Sequence, residues 1–82
     1  MGAGLNHVSV VAHDIEASRR FYVEELGLEP LPTPVFGFPV LWLAAGERQV
    51  HLFERPGQPP SHAHFALEIS DFMAAYRRMK DL

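Results

Sequence analysis

Polar and apolar residues alternate from Leu5 to Val11, with Val8 and Val10 on one face and His7, Ser9 and Val11 on the other. That period of two is the pattern of a half-buried strand. Asp14 follows as an N-cap, and Ile15, Ser18, Arg19, Tyr22 and Leu26, with Phe21 beside them, recur at helical spacing up to Gly27. The spacing predicts a helix over Ile15 to Leu26, closed by a glycine suited to the left-handed C′ position. Between Glu29 and Pro39 the prolines leave room only for a short or edge strand, because proline donates nothing to a ladder. Val40 to Ala44 and Gln49 to Glu54 read as an antiparallel hairpin turning through Ala45-Gly46-Glu47-Arg48, with Gln49, His51 and Phe53 on one face of its second strand.

Arg55 to Ser61 has the composition of a linker. After it, His64 to Ile69 alternates like the first strand, Ser70 or Asp71 can cap, and Phe72, Ala75, Tyr76, Met79 and Leu82 form a helical stripe. Sliding the chain by 57 positions places His7 on His64, Asp14 on Asp71, Ala17 on Ala74 and Arg20 on Arg77. Strand, cap and helix recur in register, so the pattern predicts an internal duplication. The expected fold class is α+β: a βαβββ module over 1–55, a linker over 56–63, and the βα start of a second, incomplete module over 64–82. A whole second copy extends the expectation to a protein of about 120 residues. The Phe65, Leu67, Phe72, Tyr76 and Met79 face is then left without partners inside the chain, which predicts a homodimer, domain-swapped in one form, or a fragment of a longer protein.

Composition narrows the function. With 48% hydrophobic and 21% charged residues in 82, the chain is one small globular unit with a core. Ten acids against seven bases give a net charge of −3, which offers no electrostatic footprint for nucleic acid. The uncharged stretch from Pro30 to Gly46 is too short and too proline-broken to span a membrane, and no basic region and apolar run open the chain, so the expected address is cytoplasmic. Cysteine is absent, so a metal must sit on nitrogen and oxygen donors.

His7 and His64 occupy equivalent points of the two repeats, and packing the repeats about a pseudo-twofold axis sets them symmetrically on facing surfaces. Neutral imidazole suits iron, manganese, zinc or nickel, and His51 on a neighbouring strand is a candidate third ligand. Trp42, Phe38 and Phe53 are candidates for the wall of a small-molecule pocket, and core residues otherwise. Glu54 lies off the His51 face, and His13 and His62 are read as solvated.

Leu5-Asn6-His7-Val8-Ser9-Val10, Asp14 to Tyr22, Glu25-Leu26-Gly27-Leu28, Val50 to Glu54 and His64 to Ile69 together closely resemble the vicinal oxygen chelate superfamily. That group includes glyoxalase I, fosfomycin-resistance thiol transferases, bleomycin-resistance proteins and extradiol dioxygenases. The resemblance implies an open cup around a divalent metal, with His7 as its first-strand ligand and His64 as its fifth-strand ligand. His51 falls where glyoxalase I-like proteins carry a glutamate, and the last glutamate ligand falls beyond Leu82. The implied functions are a metal-dependent dioxygenase, lyase or thiol transferase acting on a substrate that chelates through vicinal oxygens, a metal-free drug-sequestering protein, or an inactive associating fragment.

Overall fold

The computed structural model describes residues 2–57 and 64–82. Four strands form one sheet: β1 (His7–Ala12), β2 (Glu29–Pro30), β3 (Val40–Ala45) and β4 (Arg48–Glu54), in the order β1-β4-β3-β2. β1 runs parallel to β4, whereas β4, β3 and β2 are successively antiparallel. A parallel pair needs a crossover. It is supplied by α1 (Ile15–Arg19) and its continuation over Arg20–Glu25, so the element order is the expected βαβββ.

α1 begins where the sequence placed it. Asp14 is extended, and its carboxylate accepts from the Glu16 and Ala17 amides at 3.1 and 3.2 Å. The expected single α-helix to Leu26 is not what forms. From Arg20 to Glu25 the turn widens to π-helical geometry, and the Leu26 amide bonds the Phe21 carbonyl at 3.1 Å. Gly27 then leaves at φ 80°, a left-handed conformation that costs glycine little.

β2 is a two-residue edge strand, paired Glu29 to Ala44 and Pro30 to Leu43, at the start of the segment that proline restricts. β3 and β4 each extend one residue further into the turn than expected. Their loop is Gly46-Glu47, with Gly46 at φ 61°.

The core lies between sheet and helix. Leu43, Val50 and Leu52 are fully buried, and Val8, Val10, Ile15, Tyr22, Val23, Leu28 and Leu41 pack around them. Every one of the sheet residues in this cluster belongs to the same side of the pleat, so the helix covers one face and leaves the other open.

The second unit departs from expectation. Residues 64–69 form no strand, and Phe65 to Ser70 instead line a cavity at the end of the sheet with Leu5, Leu28 and Ala45. A strand exists only through the ladder of a neighbour, and no strand of the sheet pairs with this segment. α2 (Phe72–Met79) does form, capped by Asp71, whose carboxylate accepts from the Ala74 amide at 3.0 Å. It docks through buried Ala75, and the Arg78 guanidinium donates to the Glu25 carbonyl at 2.8 Å. Its expected stripe is mostly bare, with Phe72, Tyr76 and Leu82 exposed. Most of the predicted linker, and His62 in it, lies outside the described residues.

Candidate functional site

The open face carries the side chains that alternate with the core: His7, Ser9 and Val11 from β1, Gln49, His51 and Phe53 from β4, and Val40 and Trp42 from β3. Register brings the rings together. Trp42 is directly opposite His51 on the antiparallel ladder, and their rings stack at 4.2 Å with planes 6° apart. On the other side of His51, the His7 ring stacks at 4.0 Å and 16°. Three rings from three adjacent strands thus form one row, Trp42–His51–His7.

Each histidine is oriented by a neighbour. His7 Nδ1 lies 2.9 Å from Asn6 Oδ1, and His51 Nε2 lies 2.7 Å from Gln49 Oε1. Amide oxygens only accept, so in the tautomers that make these bonds the protons sit on His7 Nδ1 and His51 Nε2, and His7 Nε2 and His51 Nδ1 keep the lone pairs. Burial lowers the His51 pKa below the ordinary histidine value, and charge on His7 pushes the same way. His51 is therefore the neutral imidazole at pH 7.

Beyond the row, a hollow of about 280 Å³ is walled by Trp42, His51, Phe53, Phe36 and Phe38, with Ser9 and Val40 below them. Arg55 stands at its side. The guanidinium carbon is 5.7 Å from the Phe38 ring centre and 5.6 Å from that of Phe53, and the Arg55 amide donates to the Ala12 carbonyl at 3.1 Å. The larger cavity, about 510 Å³, sits at the end of the sheet where β1 begins and is bordered, among the described residues, by no histidine and by none of these aromatic rings.

Trp42, Phe38 and Phe53 are therefore brought to one wall, and His7 and His51 to one row. His64 is exposed at the start of the segment whose next residues, Phe65 and Ala66, border the larger cavity together with Leu5 and Val8. No group of three histidine, aspartate or glutamate side chains that could hold an ion forms among the described residues. In kind, the donors suit a divalent ion: His7 keeps one nitrogen free while a side-chain oxygen holds the other, the arrangement that orients ligating histidines. In number, any ion needs a donor beyond the His7 and His51 row. Arg55, Asn6 and Gln49 were not singled out from sequence. Asn6 and Gln49 sit one and two residues before their histidines, a signal visible once the rings are suspected.

Known proteins agree with this architecture. The chain is 36% identical over 64 residues to mitochondrial methylmalonyl-CoA epimerase of Bos taurus, which covers 74% of this chain and 37% of that protein. The chain thus spans little more than a third of that curated relative. Among solved structures, a glyoxalase family protein from Bacillus anthracis superposes with a TM-score of 0.73 at 24% identity, covering 98% of this chain and 72% of that one. The fosfomycin resistance protein FosX from Mesorhizobium loti gives 0.74 at 17% identity, covering 99% and 70%. The oxidase ChaP-H2 gives 0.71 at 30% identity, covering 99% and 63%. The model of the Glyoxalase/Bleomycin resistance protein/Dioxygenase superfamily matches residues 4–82, and with the βαβββ sheet and its open face in place, the chain belongs to that superfamily.

Proposed function

We propose that the open face is the small-molecule site of a divalent-metal-dependent enzyme, a dioxygenase, lyase or thiol transferase, acting on a substrate with vicinal oxygens. His7 and His64 would hold the ion, iron, manganese, zinc or nickel, with His51 as the further histidine beside them. The observation that carries this reading is the His7 ring, fixed through Nδ1 by Asn6 with Nε2 left to bind. A bound ion of this kind polarises substrate oxygens as a Lewis acid. Among this chain's own groups, Asn6 holds the His7 ring through Nδ1, neutral His51 packs between His7 and Trp42, and the aromatic rings give the hollow beside them an apolar wall. In this reading 1–55 is one module and 64–82 begins a second. The exposed Phe72, Tyr76 and Leu82 support a homodimer in which a second copy covers them.

The test is calorimetric titration of the chelator-stripped chain with manganese and zinc. Stoichiometric binding is expected, lost in His7→Ala and in His64→Ala and weakened roughly 10–100-fold in Asn6→Ala. Equal binding by the wild type and both histidine variants refutes the assignment. A second reading, metal-free sequestration of a small aromatic molecule, is favoured by the aromatic hollow together with the absence of a three-donor group among the described residues. It is the outcome if no ion binds but the hollow still takes a ligand.

A further inference from the structure

The hollow beside the ring row is unusual in what surrounds it. Among the described residues, five aromatic rings contribute to its wall, no carboxylate does, and its one charged group is the Arg55 guanidinium. Arg55 pairs with no acid among the described residues, and its contacts are the faces of Phe38 and Phe53. Two rings within cation–π range hold the guanidinium near the hollow, and the Arg55 main chain is tied to the end of β1. A fork donor with no carboxylate partner among the described residues is matched bidentately by a carboxylate from outside. The volume, about 280 Å³, lies at the lower limit of ligand cavities and suits a molecule of one or two rings.

The geometry points to a planar aromatic carboxylate as the ligand class of this hollow, its rings between Trp42, Phe36 and Phe53 and its carboxylate on Arg55. The inference rests on the open face being the ligand-binding face and does not require the ion. Trp42 is the chain's sole tryptophan, so its indole N–H gives one nuclear magnetic resonance signal at the wall of the site. The full chain, freed of metal, is titrated with 2-naphthoate and with the uncharged 2-naphthamide. The acid is expected to shift the indole signal saturably and to bind about tenfold to a hundredfold more tightly than the amide, as one charge-assisted contact provides. Arg55→Gln is expected to abolish that preference, and Arg55→Lys to retain part of it. Equal binding of acid and amide to the wild type, a preference that survives in Arg55→Gln, or no indole shift with the acid overturns the proposal. Ion binding is read separately on the His7 and His64 variants, so loss of either result leaves the other standing.

Discussion

Glu54, the last residue of β4, turns its side chain to the helix-covered face, where Oε2 accepts the Ile15 amide at 2.9 Å. The first amides of α1 can be accounted for one by one. Asp14 takes those of Glu16 and Ala17 through its carboxylate, and that of Ser18 through its carbonyl. Ile15 is left, and Glu54 from the distant strand supplies the acceptor. Glu54→Ala therefore strands a half-buried donor. A hydrogen bond to a charged partner is worth about 1.5–3 kcal/mol, and a carboxylate at a helix N-terminus adds about 0.3–1 kcal/mol. The expected loss is about 2–3 kcal/mol, a large part of the roughly 4–12 kcal/mol that a domain of this length holds. Glu54→Gln keeps an acceptor oxygen and loses the charge, so it should cost about 0.5–1 kcal/mol. Urea unfolding followed by Trp42 fluorescence and extrapolated linearly measures both. A loss below about 0.5 kcal/mol in Glu54→Ala, or equal losses in the two variants, would refute the argument that the carboxylate completes the cap.

Leu52 is 0% exposed between Leu43 and Val50, so Leu52→Ala should cost about 2.7–5 kcal/mol and leave little cooperative unfolding by circular dichroism; a cost near 1 kcal/mol would contradict the packing. Burial raises the Tyr22 pKa above its ordinary value, so the unfolded chain loses that proton first as pH climbs. Its contribution is whole below pH of about 10 and is lost as pH rises from there through the folded value. Urea midpoints at increasing alkalinity should fall less steeply in Tyr22→Phe than in the wild type, and parallel curves would remove Tyr22 as the cause.

The faces of the strands were legible because period two is a property of the chain alone. His7 and Ser9 opposite Val8 and Val10, or His51 opposite Leu52, follow from the pleat whatever the partners. Pairing was not legible in the same way. That His51 would meet Trp42 on one side and His7 on the other depends on register, which the loops and the crossover set. The widened turn over Arg20–Glu25 moves hydrogen bonds by one residue without altering the apolar stripe that predicted the helix. At Phe65 to Ile69 the alternation is present and the ladder is absent, since side-chain pattern specifies a face and not a neighbour. In the sequence, Arg55 reads as the start of the linker because of the prolines and glycine after it. Its amide nonetheless bonds the carbonyl of Ala12 at the end of β1, and its side chain lies over two rings of the site.

β4 is paired on both sides from Gln49 to Phe53, with β1 along one edge and β3 along the other. Its alternate residues divide the work: Val50, Leu52 and Glu54 hold helix to sheet, while Gln49, His51 and Phe53 build the open face. A backbone fixed from both sides makes the two sets separable, since changing a side chain on one face leaves the ladder that positions the other. Substitutions at 51 and 53 should then alter binding at little cost in stability, and those at 52 and 54 should cost stability while any folded fraction keeps its binding properties. Gln49 probes the same division from within the site: its amide oxygen fixes the His51 tautomer and bonds nothing in the core, so Gln49→Leu should free the His51 ring while the urea midpoint stays close to that of the wild type.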